Sequence, residues 1–169
     1  MELVEFDLLT DDKRAELEGD EEDPWDGAGS PLEWRPKEHH VALQDDNGRL
    51  VASAGVLMVD VEAGGERFPV VGLGGVIVNA GYRGRGLSLR VIEAALAKAG
   101  TLGPDRVILF CHEDRAELYR RFGFQDVTST VLVEHRGGHA EMPMHTMWRA
   151  LRPDAGWPGG PVVVHSLPF

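Results

Sequence analysis

One stretch, Gly72 to Leu89 (GLGGVIVNAGYRGRGLSL), restricts what this chain can fold into more than any other. An apolar run from Val70 to Val78 reads as a strand, Asn79-Ala80-Gly81 as its exit, and a helix opens after Arg83-Gly84-Arg85-Gly86. Glycines in such a turn remove the side chains that would hold a ligand off the backbone. The first amides of the helix then converge on one anion, so the natural ligand is a phosphate or pyrophosphate.

The commoner phosphate loops do not fit. No G-x-x-x-x-G-K-[ST] is present, and a dinucleotide loop needs G-x-G-x-x-G, whereas Gly84 and Gly86 are followed by Leu89 at the third glycine position. The stretch resembles motif A of the GCN5-related N-acetyltransferases (GNAT), [RQ]-x-x-G-x-[GA] after a Val-x-Val strand end. Arg83, Gly86 and Ser88 stand at the defining positions, behind Val76-Ile77-Val78, with the small Ser88 replacing Gly or Ala. Downstream, Leu118-Tyr119-Arg120-Arg121-Phe122-Gly123-Phe124 resembles motif B of the same family.

The resemblance implies a GNAT fold of α/β (α+β) class, with a mixed, mostly antiparallel central sheet flanked by helices. It also implies acetyl-CoA as acetyl donor, with no metal. Backbone groups of Val76, Ile77 and Val78 would hold the pantetheine arm beside a bulged strand. Arg83, Gly84, Arg85, Gly86, Leu87, Ser88 and Leu89 would hold the pyrophosphate.

Size and charge agree with this. A chain of 169 residues suits one domain with a full core, here taken as residues 1–169 with 152–169 as a C-terminal tail extension. No apolar run reaches a membrane span and no signal peptide is readable, so a cytoplasmic protein without a membrane partner is expected. A net charge of −11 argues against nucleic acid. The single cysteine, Cys111, excludes an intramolecular disulfide; its apolar strand suggests a buried, inert thiol. From Glu16 to Asp26 the run ELEGDEEDPWD carries seven acidic residues and no basic one. It reads either as a solvated or mobile loop, or as an acidic rim that concentrates a cationic substrate.

Along the chain, Leu3 to Leu9 alternates as a strand and Thr10 caps a short helix. His39 to Gln44 and Arg49 to Val61 form a hairpin about Asn47-Gly48, and Gly64-Gly65 turns into the strand Phe68 to Val78. Leu89, Ile92, Leu96 and Ala99 recur at helical spacing with Gly100 as stop. Val107 to Cys111 is a central strand, and a helix between Glu113 and Gly123 follows. Strands Phe124 to Val133 and Met142 to Leu151 flank a polar loop, His135 to Glu141, and Val162 to Val164 forms a last strand. His135, His139 and His145 lack zinc spacing on a helix.

Acetyl transfer from a thioester to an amine requires a deprotonated amine, a stabilised oxyanion and a protonated leaving thiolate. By its place in motif B, Tyr119 matches the family's general acid, and an N–H near Val76 would hold the oxyanion. The strand Glu that many members use as base is absent, replaced by Leu73-Gly74-Gly75. His112, Glu33, Asp60, Glu113 or a water chain remain. Trp157-x-x-Gly160 and the Leu118-Tyr119 helix are weakly similar to the aminoglycoside 2'-N-acetyltransferases. That similarity implies that the carboxylate of Phe169 points into the acceptor site, the other reading being a frayed terminus.

The expected activity is transfer of an acetyl group to a primary amine of a small, cationic acceptor by direct attack, in a monomer or homodimer. A protein or peptide amine acetyltransferase and a non-catalytic acyl-CoA-binding module are the alternatives.

Overall fold

A computed structural model describes residues 1–25, 27 and 29–169. They form two compact units interleaved along the chain: Met1–Pro31, Lys37–Leu57 and Gly74–Lys98 in the first, Leu32–Pro36, Met58–Leu73 and Ala99–Phe169 in the second.

In the first unit, β1 (Glu2–Phe6) pairs antiparallel with β2 (His39–Gln44), and β2 pairs antiparallel with the opening half of β3 (Leu50–Ala63). The strand expected to reach Leu9 stops at Phe6, and Asp7 turns its carboxylate to His39 Nδ1 at 2.8 Å. Helix α1 (Asp11–Glu18) follows, with Thr10 Oγ1 accepting from the Lys13 amide at 3.4 Å. Most of α1 is polar, but Leu17 is wholly buried with Ala42, Leu50 and Ile77, and Val4, Phe6, Leu9 and Trp25 close over them. Full burial of one such leucine contributes roughly 2 kcal/mol, enough to dock a two-turn helix that would not persist alone. Helix α2 (Leu87–Gly100) buries Leu87, Val91, Ile92, Ala95, Leu96 and Ala99, a broader stripe than the four positions read from the sequence.

The second unit holds the path β6-β9-β5-β4-β3-β10-β7-β8, made from the closing half of β3, the opening half of β4 (Glu66–Val78), and β5 (Arg106–Cys111), β6 (Gln125–Asp126), β7 (Val131–His135), β8 (Gly138–Glu141), β9 (His145–Ala150) and β10 (Val162–Val164). The short helix α3 (Ala116–Arg120) lies between β5 and β6 in sequence. Pairings β4–β5 and β7–β10 are parallel, and β3–β10, β5–β9, β6–β9 and β7–β8 are antiparallel. With antiparallel β1–β2–β3 in the first unit, the sheet is mixed and mostly antiparallel, as expected. β5 is central, paired on both edges.

Two expectations are corrected. The stretch Phe124 to Val133 is not one strand: β6 adds to β9, while β7 pairs with β10 and β8. The polar loop His135 to Glu141 contains β8, returned against β7 by a tight turn in which Arg136 (φ 44°) and Gly137 (φ 78°) are both left-handed. Among the described residues no helix is long and apolar enough to cross a membrane.

Candidate functional site

The glycine loop belongs to the first unit. β4 pairs with β5 from Val71–Val107 to Leu73–Leu109; past that point Gly74, Gly75, Val76 and Val78 are half-buried and Ile77 is buried. Gly75 has φ 59°, a left-handed residue inside a strand, which bends the backbone where the resemblance implies a bulge. Asn79 then fixes the exit. Its side chain accepts from the Gly81 amide at 3.0 Å and donates to the Glu16 carbonyl at 2.9 Å, while its own amide donates to the Val51 carbonyl. Tyr82 donates to Asp45 at 2.8 Å, and the Arg85 guanidinium lies 5.0 Å over the Tyr82 ring.

Gly84 (φ 78°) and Gly86 (φ 71°) are left-handed with open space around them, so glycine is required there by conformation and not by crowding. Leu87 is buried as the first residue of α2 and anchors the loop, while Arg83, Gly84, Arg85 and Gly86 are exposed. Ser88 and Leu89 are half-buried in the first turn. That turn supplies amides without helical partners, the arrangement that binds a phosphate. Arg83 itself is engaged: its guanidinium donates to both oxygens of Glu21, at 3.0 and 2.5 Å, and to the Val78 carbonyl at 3.2 Å.

The acidic run is therefore tethered over much of its length, not simply solvated. Glu16 accepts from the Leu50 amide, Glu18 from the Trp25 indole, Glu21 from Arg83, and Asp23 from the Gly27 amide. Asp26, the last acid of the run, lies outside the described residues.

One side chain of this unit gave no sequence signal. The Lys37 stem crosses β3 over Gly55, where an added Cβ would lie 2.5 Å from its Cγ and 2.7 Å from its Cβ. Its amine ends against Gly75, 3.7 Å from where a Cβ there would stand, with the Trp25 ring edge at the same distance. Burial, and secondarily Arg14, lower the Lys37 pKa to about 8. His40, stacked on Phe6 at 5.2 Å, is lowered to about 4, chiefly by burial and then by Lys37. A lysine between Pro36 and Glu38 reads as a surface residue; the missing side chain of Gly55 gives its stem room.

Tyr119 belongs to the second unit, on α3. It is buried, its ring edge-on to Phe124 at 5.8 Å, and its carbonyl accepts from the amides of Phe122 and Phe124 where Gly123 (φ 81°) ends the helix. Burial, then Cys111, pushes its hydroxyl well above the usual tyrosine range. Burial likewise pushes the Cys111 thiol up to about 11, leaving it protonated at neutral pH. Asp126 accepts from Arg120 at 3.0 Å and contacts His145 Nε2, so His145 is committed to a carboxylate. Among the described residues no cluster of His, Cys, Asp and Glu could hold a metal ion. Phe169 is 2 % exposed, its ring 4.9 Å from Phe110, and the Pro168 carbonyl accepts from the Arg35 amide at 2.7 Å. The terminus is packed, not frayed. Of the other candidate bases, Asp60 is paired with Arg67 at 3.0 Å.

A left-handed bend late in a strand, a glycine loop and a helix start in direct succession define a class, the acetyltransferases that carry this loop. Residues 26–127 match the family model described as "Acetyltransferase (GNAT) domain", and the chain belongs to that family. A GNAT family N-acetyltransferase of Escherichia coli, solved with CoA, is 22% identical over 96% of this chain and 89% of its own, with a TM-score of 0.61. A phosphinothricin acetyltransferase of Sinorhizobium meliloti, solved with acetyl-CoA, is 18% identical over 94% of each chain, with a TM-score of 0.59. A GNAT family acetyltransferase of Brucella melitensis, also with acetyl-CoA, is 19% identical over 97% of this chain and 96% of its own, with a TM-score of 0.59. At these identities the likeness speaks for the fold. A search of curated proteins returns no match to the sequence.

Proposed function

We propose that this acetyltransferase moves an acetyl group from acetyl-CoA to a primary amine of a small cationic acceptor by direct attack. The observation that carries the donor half is the loop: Gly84 and Gly86, both left-handed and open, lead into the unpartnered amides of α2 directly after a strand bent at Gly75. The solved relatives that hold CoA or acetyl-CoA support the same ligand. In this reading residues 83–89 take the pyrophosphate, and the backbone of Val76 to Val78 takes the pantetheine arm and the acetyl carbonyl.

The acceptor nitrogen attacks the carbonyl carbon, the C–S bond breaks, and Tyr119 gives its proton to the departing thiolate. The proton lost by the acceptor leaves to solvent, and Tyr119 regains one from it. The carboxylate of Phe169 orients the acceptor ammonium, the assignment that the weak likeness to aminoglycoside acetyltransferases suggests. The acceptor class rests on the acidity of the chain, net −11.

A second reading, a non-catalytic acyl-CoA-binding module, is favoured by one observation. Burial makes Tyr119 hold its proton more tightly than an ordinary tyrosine, which opposes transfer to a thiolate of lower pKa. Titration calorimetry with acetyl-CoA, followed by thiol release against aminoglycosides, polyamines and short peptides, separates the two. Amine-dependent thiol release establishes the transferase and ranks its acceptors. Binding without release across the panel supports the module, and absence of binding overturns the donor assignment.

A further inference from the structure

Drawing a cation out of water without a counter-ion costs stability, and the Lys37 side chain is half-buried. The three lysines of the chain differ sharply here. Lys98 is paired with Glu5 at 2.8 Å, and Lys13 donates to the Leu8 carbonyl above the Phe6 ring. Lys37 has no carboxylate among its contacts with the described residues: the groups around it are Gly55, Gly75, the Trp25 ring, Arg14 on α1 and His40 on β2. The missing side chain of Gly55 makes room for its stem, and its amine ends beside Gly75, the left-handed residue of β4, one residue before Val76.

We propose that Lys37 is itself an acetyl acceptor: its amine attacks acetyl-CoA bound along residues 76–78, giving Nε-acetyl-lysine and free CoA. The inference rests on the donor reading above. The Nζ lone pair forms a C–N bond to the acetyl carbon, the C–S bond breaks, and the thiolate takes up the proton that Nζ releases. No further reactant is needed. A base role fits this surround less well, because accepting a proton would place a second full positive charge beside Arg14. Acetylation does the opposite, replacing a half-buried amine by a neutral amide that carries no charge beside Arg14.

Supporting this, an amine with a pKa of about 8 in place of 10.5 offers roughly three hundredfold more neutral nucleophile at neutral pH. Its neighbours do not oppose that form: the Arg14 charge favours it, and His40, lowered to about 4, is neutral across the working range.

The test is incubation of the full chain with acetyl-CoA and no acceptor, read by peptide-mapping mass spectrometry, with calorimetry of acetyl-CoA binding on the same preparation. The expected result is one acetyl group on Lys37, appearing about tenfold or more ahead of Lys13 and Lys98, rising with pH toward about 8 and suppressed by excess CoA. Lys37→Arg and Lys37→Met bind acetyl-CoA and do not gain that group; should either fail to fold, the mapping of the wild-type chain still decides. Binding with Lys37 modified no faster than the other two lysines, or modification indifferent to CoA, overturns the proposal and leaves the donor site intact. Absence of binding overturns the donor reading itself.

Discussion

Arg83 is the motif residue that a phosphate would engage, yet its guanidinium grips Glu21 in a two-pronged pair, each partner partly exposed. A pyrophosphate arriving at the loop meets that carboxylate as a competitor of its own sign. Glu21→Gln is therefore expected to tighten acetyl-CoA binding about two- to fivefold, the scale of a screened surface pair. Calorimetry reads it, and weaker binding in the variant would mean that Glu21 instead holds Arg83 in place for the ligand. Tyr119→Phe is the companion experiment: in the transferase reading it lowers the rate of thiol release by about 10² or more with binding unchanged, whereas an unchanged rate removes Tyr119 from the chemistry. Legibility at this scale follows sequence locality. Gly84, Gly86 and Tyr119 announce themselves through contiguous motifs, and the structure gives the glycines the left-handed conformations that explain their presence. Lys37 does not, because its environment is assembled from residues 25, 55 and 75. The Arg83–Glu21 pair was equally invisible, joining residues 62 apart.

Strands and helices with strong periodicity or clear punctuation were readable, and those made by pairing alone were not. β2 and β3 stand near where alternation and the Asn47-Gly48 turn put them, and β5 is the central strand its apolar run suggested. β8 (GHAE) has neither an apolar face nor a strand former to mark it; its existence depends on register with β7 and on Arg136 accepting a left-handed conformation. The slot over β3 gives this scale its own prediction. Gly55→Ala would force a Cβ to 2.5 Å of Lys37 Cγ, an atom too near its own backbone to swing clear, so the variant should lose about 1–3 kcal/mol in urea denaturation. Little loss would mean that the Lys37 segment shifts freely. On β2, His40 is buried and its folded pKa of about 4 lies below the ordinary histidine value of 6.5. The folded chain binds fewer protons there, so stability is full above about 6.5 and falls as pH drops from there toward 4, by up to about 3 kcal/mol. The carboxylates Asp7, Asp45 and Asp126, lowered by their partners, also lose stabilisation on the acid side. His40→Gln isolates the histidine: its stability should decline less than the wild type between pH 6.5 and 4, and parallel curves would refute the assignment.

At the scale of the whole molecule, residues 162–169 are packed into the second unit. Val162 and Val164, both fully buried, sit on β10 between β3 and β7, in register with Ala63 and Val61 on one side and with Val131 and Val133 on the other. Nothing in Gly159-Gly160-Pro161 followed by three valines reveals an interior position in a sheet, since a strand's neighbours are set by topology and not by its own residues. Phe169 combines two roles that can be separated. Its ring packs on Phe110, so Phe169→Ala should cost about 3 kcal/mol in urea denaturation whether or not the terminus takes part in chemistry. Its carboxylate is the group proposed to orient the acceptor. A chain extended by two glycines after Phe169 keeps the ring and moves the charge away. With an acceptor in hand, the extended chain should keep its stability and its affinity for acetyl-CoA while KM for the amine rises about tenfold, the loss of one charge-assisted hydrogen bond. An unchanged KM at unchanged stability would assign Phe169 to packing alone.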